Sequence, residues 1–225
     1  MAFEPRFHRA LGFGVCVGVS LPAEDEYPLP AALHADEAAF ARALPPARRG
    51  GWVGGRVALR AALAAIGHLP TGALLATPRG GPALPLGGAG SISHKRELAV
   101  ALAAETRAPS APTLGIDVET VRPLRHDISR HVLTPEELAA LAALDAGARE
   151  AEVLLRFATK EAIYKALDPW VQRMVSFQEV AIARDAAGRP SARLALSGGE
   201  GPFSVELEDA SDGDLVLVAA RVARR

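Results

Sequence analysis

Two of the three lysines in this 225-residue chain, Lys160 and Lys165, fall in one short segment, Phe157-Ala158-Thr159-Lys160-Glu161-Ala162-Ile163-Tyr164-Lys165, and the carboxylate pair Asp117 and Glu119 lies upstream. Glu161 and Lys165 are four apart and share a helix face, while Asp117 and Glu119 are two apart and share a strand face. Three carboxylates able to converge with a cation suit metal-assisted phosphoryl chemistry. Hard oxygen donors hold a cation such as Mg²⁺, which keeps several waters and shares phosphate oxygens. Each piece alone also has a plainer reading. The acids would serve edge-strand solubility, and Glu161 with Lys165 would be a helix pair worth roughly 0.3 to 0.5 kcal/mol. Ser91-Ile92-Ser93-His94 adds hydroxyls and an imidazole that can bind phosphate oxygens, although a lone histidine in a strand is more often structural.

The elements that must position these groups are legible from pattern. Alternating Phe13, Val15, Val17 and Val19 read as a buried strand, with glycines where another backbone approaches. Arg6, His8 and Arg9 before this stretch also resemble the charged start of a secretory signal. Residues 35–44 read as a helix with Asp36 and Glu37 in its first turn, ended by Pro45-Pro46. A second helix spans 52–66, with Arg49, Arg56 and Arg60 on its basic face. Residues 78–90 form a glycine- and proline-rich loop, and 91–104 are strand-like. After a linker over 108–112, residues 114–118 read as a buried strand. Thr134 caps a helix over 134–144, with Pro135 at its first position and acids in its first turn. Residues 150–167 form a longer helix stopped by Asp168-Pro169. Strands then follow over 180–182, 192–196, 203–207 and 215–222, the last two joined by a turn at 211–214.

The two halves share an order of basic helix, proline-containing loop and strand pair. We therefore expect an α+β fold of two similar α/β subdomains in pseudo-two-fold duplication, residues 1–113 and 114–225. Each would be a small antiparallel sheet packed on a long helix, with the active site at the seam.

Composition sets limits. The length suits one large domain or two small ones. A net charge of −1 and a pI near 6.6 argue against a general nucleic-acid coat, so any polyanion site is local. Cys16 is the only cysteine, which rules out an intramolecular disulfide and a thiolate zinc cluster and fits a reducing, cytoplasmic setting. No apolar run is long enough to span a bilayer.

Taken together, Gly54-Gly55-Arg56, Gly90-Ser91-Ile92-Ser93-His94, Gly115-Ile116-Asp117-Val118-Glu119 and residues 157–167 resemble the ordered motifs of the surfactin-type 4′-phosphopantetheinyl transferases. Arg48-Arg49 before Trp52, and Asp168-Pro169 before Phe177, look most like the enterobactin-synthetase-component branch. The resemblance covers about residues 33–180. It implies a monomeric enzyme that transfers the phosphopantetheine arm of coenzyme A to a serine of an apo acyl or peptidyl carrier protein, releasing adenosine 3′,5′-bisphosphate. Nucleic acid and membrane would not be partners. By similarity, Asp117, Glu119 and Glu161 would hold Mg²⁺, Glu161 would be the base, directly or through a metal-bound water, and Lys165 would sit on the phosphates and stabilise or protonate the leaving group. Lys160 would be a supporting charge. Ser93 and His94 would bind the nucleotide end, and Arg48 and Arg56 the 3′-phosphate; Arg49 and Arg60 are divided between that role and a solvated helix face.

Residues 79–85 occupy the family's adenine-side loop, with Arg79 as candidate ligand. This chain has Gly81 where many members carry lysine, Leu84 where this branch often has tryptophan, and Gly51 in place of a frequent acid. Trp170, Val171, Met174, Val175 and Phe177, beside Arg173, would offer a carrier an apolar patch or belong to the core.

Two other classes use some of the same residues. A Mg²⁺-dependent nucleotide or coenzyme A pyrophosphohydrolase would need the acids but no carrier. A non-catalytic carrier- or nucleotide-binding module would need His94 and the arginines but not the full acid set. A P-loop enzyme is disfavoured, because the glycine-rich loop lacks the Gly-Lys-Ser/Thr ending.

Overall fold

In the computed structural model, residues 3–23, 27–106, 108, 111–122, 126–185 and 188–225 are described. The first apolar stretch folds as a hairpin, β1 (Pro5–Leu11) and β2 (Gly14–Ser20). Two helices follow, α1 (Ala35–Ala43) and α2 (Pro46–Ala65). A second hairpin, β3 (Gly88–Lys95) and β4 (Leu98–Glu105), completes a four-stranded antiparallel sheet in the order β1-β2-β4-β3. The chain continues through β5 (Thr113–Thr120), α3 (Ser129–Val132), α4 (Pro135–Ala140) and α5 (Ala146–Val171). Last come β6 (Val180–Arg184), β7 (Pro190–Leu194), β8 (Phe203–Asp209) and β9 (Leu215–Arg224). β5, β9 and β8 pair antiparallel in that order, and β6-β7 is a separate hairpin.

Burial stacks these elements as helix, sheet, sheet, helix. Val17, Val19, Ala99 and Ala101 face Ala58, Leu59 and Ala62 of α2. The alternate residues Cys16, Val100 and Leu102 face Leu114, Ile116 and Leu217 of the other sheet. The outer face of that sheet, Val216, Val218 and Ala220, packs on Ala158, Ala162 and Ala166 of α5. Period-two alternation on each strand is what lets one sheet bury two faces.

The described strand–helix–strand–strand sets have one connectivity. β2, α2, β3, β4 pair as β2-β4-β3, and β5, α5, β8, β9 pair as β5-β9-β8. Each long helix is also tied to a preceding short one by a buried glutamate in a capping box. Glu37 accepts the His34 N–H, the Leu74 N–H and Arg60 of α2. Glu137 accepts the Thr134 N–H, the Ile182 N–H, and Lys160 and Arg156 of α5. Burial alone would raise both carboxyl pKa values, but the backbone and cationic donors outweigh it and hold both below the usual carboxylate range.

Several boundaries differ from the sequence expectation. The first helix ends just before Pro45-Pro46 as expected, but the second starts at Pro46 rather than Trp52; a proline in the first turn lacks an N–H that would have no partner there, so Arg48 and Arg49 are helical. Residues 91–104 are two strands, turning at Arg96-Glu97 without glycine or proline. The helix capped by Thr134 stops at Ala140. Asp168-Pro169 does not stop α5, which runs to Val171 and ends with Gln172 left-handed, its N–H donating to Asp168 O. The last turn is held by Trp170, whose indole N–H donates to Thr113 Oγ1 at 2.7 Å and whose ring packs near Phe203. Of the expected 108–112 linker, Pro109 and Ser110 lie outside the described residues. Among the described residues, no helix is long and apolar enough to cross a membrane.

Gly115 sets how closely α5 lies on β5. A Cβ there would sit 1.8 Å from Ala162 O and 2.9 Å from Ala166 N, so only a bare backbone fits. Gly115→Ala is expected to force helix and strand apart and to cost roughly 1 to 3 kcal/mol. Denaturant unfolding checks this, and a midpoint equal to the parent's would show that the contact does not constrain the fold.

Candidate active site

β3 and β5 are facing edges of the two sheets, and their side chains rather than a backbone ladder close the seam. Ser91, Ser93 and Lys95 alternate toward β5. Ile116 N–H donates to Ser91 Oγ at 3.1 Å, Ser93 Oγ donates to Asp117 Oδ1 at 2.7 Å, and Lys95 Nζ lies 2.7 Å from Glu119 Oε1. Ile92 and His94 point the other way, onto α2. A Cβ on Gly51 would meet His94 Nδ1 at 2.6 Å, so the missing acid at position 51 makes room for the imidazole. On β5, Gly115, Asp117 and Glu119 share the face toward α5, as their spacing implies.

From α5, Lys165 Nζ donates to Asp117 Oδ1 at 2.7 Å and to Ile116 O at 2.9 Å. Glu161, one turn earlier, makes no hydrogen bond or ion pair among the described residues, and lies within electrostatic reach of Asp117 and Glu119. Burial raises its pKa, and repulsion from Asp117 adds to that shift. Burial likewise raises Glu119, although Lys95 opposes it. Asp117 Oδ2 is buried without a hydrogen-bond partner. Among the described residues, no three His, Cys, Asp or Glu side chains form a ready metal cluster. The expected triad is thus drawn with Ser93, Lys165 and Lys95 on two of its members. The donor set nevertheless fits a hard cation: three desolvated carboxylates, one with an orphaned oxygen.

A cleft of about 1300 Å³ opens from this seam, walled by α2, residues 76–90, β3 and the last turns of α5. Arg48, Arg56, Arg79, His94 and Lys165 line it. Arg56 is buried, donates through Nε to Leu74 O at 2.8 Å, and lies 4.4 Å from the Trp52 ring centroid; one of its terminal nitrogens has no partner. Desolvation lowers its pKa to about 10, leaving it charged at neutral pH. The cleft wall desolvates His94, and Lys165, Arg56 and Lys95 add positive charge, so its pKa is lowered. An orphaned guanidinium nitrogen beside a cluster of cations suits a phosphate. Arg56→Ala is expected to weaken binding of coenzyme A, the ligand that the sequence resemblance implies, about 10- to 100-fold in a calorimetric titration, the range of a lost charge-assisted bond; unchanged affinity would remove Arg56 from the anion wall.

Other expected site residues are not brought to the cleft as free groups. Lys160 is only 1% exposed and donates to Glu137 Oε2 (2.6 Å), Val132 O (2.7 Å) and Phe177 O (3.0 Å). Its three protons are spent inside the fold, which corrects the expectation that it supports phosphate. Arg79 lines the cleft mouth but spends its guanidinium on Asp168 and on Gln172 O, strapping residues 76–82 to α5. Arg49 donates to Ala41 O and Leu44 O at the end of α1, and Arg60 to Glu37, Pro70 O and Gly72 O, so both are structural. The apolar patch divides: Val171 and Val175 are core, and Met174 is 75% exposed.

A second pocket, about 490 Å³, shares Tyr164 with the cleft and is lined by Glu161, His131, Met174 and Phe177. Sequence reasoning missed it, and it missed Lys95 and Glu137 as parts of the machinery. The Thr134-to-Glu137 capping-box spacing was the available signal for Glu137.

A cationic cleft that reaches Lys165, itself paired with the buried Asp117, suits the class of sites that act on a phosphorylated substrate. Residues 113–220 match the 4′-phosphopantetheinyl transferase superfamily, and residues 35–104 match the 4′-phosphopantetheinyl transferase N-terminal domain. The chain is 38% identical to the 4′-phosphopantetheinyl transferase Svp of Streptomyces mobaraensis over 74% of this chain and 67% of that protein. It is 34% identical to the 4′-phosphopantetheinyl transferase Npt of Nocardia iowensis, over 70% and 68% respectively. Over 35% of this chain and 65% of that protein it is 40% identical to a holo-[acyl-carrier-protein] synthase of Geobacillus kaustophilus. The crystal structure of a Bacillus anthracis holo-(acyl-carrier-protein) synthase in complex with CoA aligns with a TM-score of 0.43 and 21% identity, covering 50% of this chain and 96% of that one. The chain belongs to the 4′-phosphopantetheinyl transferase superfamily.

Proposed function

We propose that this protein transfers the 4′-phosphopantetheine group of coenzyme A to a serine of an apo acyl or peptidyl carrier protein and releases adenosine 3′,5′-bisphosphate. The observation that carries this reading is that Lys165, which lines the cleft with Arg48, Arg56 and His94, is paired with Asp117, while Glu161 lies within electrostatic reach of Asp117 and Glu119. The matches to transferases over both halves support it.

Arg56, Arg48 and His94 take the nucleotide phosphates, with the orphaned Arg56 nitrogen as the free donor. Glu161 takes the serine proton; its raised pKa brings it nearer to the range a general base needs at neutral pH. The serine oxygen bonds to the pantetheine-bearing phosphorus as the bridging bond to the nucleotide phosphate breaks. Lys165 stabilises the charge left on that phosphate, while Asp117 and Ile116 O orient its ammonium. Asp117, Glu119 and Glu161 would hold Mg²⁺, which when bound neutralises the pyrophosphate against an oxygen nucleophile.

The proposed subdomains, 1–113 and 114–225, are pseudo-duplicates. The shared β2-β4-β3 and β5-β9-β8 connectivity and the paired Glu37 and Glu137 capping boxes support this. Met174 and the Glu161-lined pocket are the proposed approach of the carrier serine.

The test is intact-mass measurement of an apo carrier after incubation with protein, coenzyme A and Mg²⁺. A gain of one phosphopantetheine group, lost with chelator or with the carrier serine changed to alanine, is expected. Carrier-independent cleavage of coenzyme A without that gain would replace the transferase with a hydrolase.

A further inference from the structure

Lys95 stands apart from the other cations of the seam. Its Nζ is 2.7 Å from Glu119 Oε1, and its side chain is 47% exposed against 10% for Glu119. It has no other hydrogen-bond or ion-pair partner among the described residues. Lys165, by contrast, is held by both Ile116 O and Asp117 Oδ1 and is 26% exposed. One lysine is therefore built into the site, and the other rests on it from the solvent side.

We propose that Lys95 is a built-in counter-cation that neutralises Glu119 before a divalent cation arrives and is displaced when one binds, so that it sets cation affinity from within the chain. This rests on the acid-site reading given under the proposed function. An ammonium and a divalent cation compete for the same carboxylate oxygens. Removal of the weaker competitor strengthens the other by the free energy of the displaced pair, which for a half-exposed ion pair is small. Lys95 can leave at low cost, because its four-carbon stem reaches from an edge strand and its head can return to water. The site thereby stays close to charge balance before a cation arrives: Asp117 has Lys165 and Glu119 has Lys95, and Glu161 alone of the three acids has no ion-pair partner among the described residues.

Mn²⁺ binding to the full chain, read from the electron paramagnetic resonance signal of the free ion, tests this without reference to turnover. Lys95→Met is expected to bind Mn²⁺ roughly two- to fivefold more tightly than the parent, the factor corresponding to an exposed ion pair. Lys95→Arg retains the charge and is expected to stay at the parent affinity. Unchanged or weaker binding in Lys95→Met would overturn the proposal, as would equal tightening in both variants. Asp117→Asn separates the two levels. If it loses Mn²⁺ binding while Lys95→Met matches the parent, only the role of Lys95 fails. If the parent binds no Mn²⁺, or Asp117→Asn binds it as the parent does, the acid site fails and this proposal with it.

Discussion

Glu161→Gln is expected to lower the transfer rate by about 10²- to 10⁴-fold while leaving the chain folded, because an amide of the same shape can neither take the serine proton nor supply negative charge. The measurement is single-turnover modification of a carrier followed by intact mass, with circular dichroism as the fold control. Turnover within a few-fold of the parent would remove Glu161 from the chemistry. The pKa shift gives a second, independent signature. Burial and Asp117 raise the folded-state pKa of Glu161 above its unfolded value. Folding therefore gains from its protonated form below the unfolded value, and that contribution is lost as pH rises through the raised one. Near neutral pH the parent carries a half-buried carboxylate with no ion-pair partner among the described residues, and Glu161→Gln does not. The variant should melt no lower than the parent there, and its advantage should shrink in acid. The parent's transfer rate should rise with pH across the same window, as the base becomes free.

The second large effect concerns stability. Glu137→Gln is expected to cost roughly 3 to 5 kcal/mol, because it leaves Lys160 buried without its counter-charge and Arg156 with only the 3.5 Å pair to Glu152. Glu137 is 3% exposed and accepts four donors. Equilibrium denaturation checks this, and a loss below about 1 kcal/mol would mean that the network relaxes around the amide. The double variant Glu137→Gln with Lys160→Met, which removes the stranded ammonium, should recover part of the loss. The sign of the pH dependence is opposite to that of Glu161. Hydrogen bonds and Lys160 hold Glu137 below its unfolded pKa. Its contribution is present above the unfolded value and lost as pH falls through the folded one, so the gap between parent and Glu137→Gln should narrow in acid. The network also fixes the carbonyl of Phe177, which lines the Glu161 pocket, so partial loss of activity per folded molecule is expected alongside the destabilisation.

Much of the site is legible in the amino-acid order. Asp117 and Glu119 do share one face of β5, and Glu161 and Lys165 one face of α5, since both depend on the period of a single element. Thr134 caps its helix because capping is a contact over three residues. The Asp168-Pro169 expectation failed for a non-local reason: proline removes one N–H, but Trp170 and Thr113 hold the following turn in place. The arginines divided in the same way. Arg56 lines the cleft and keeps a buried nitrogen without a partner, while Arg49 and Arg60, one helix turn or two away, are spent on carbonyls and Glu37.

By itself, then, the amino-acid order determined which chemical groups are available, their spacing on strand and helix, and through its motifs the family. Only the tertiary structure decided which of those groups are free to act. Lys160 meets Glu137 across 23 positions, Arg79 meets Asp168 across 89, and Lys95 meets Glu119 across the seam between two sheets. Whether a charged side chain binds substrate or holds the fold depends on which partner is brought within hydrogen-bond reach and how far both are withdrawn from water. Both are properties of packing between elements, which local periodicity does not encode.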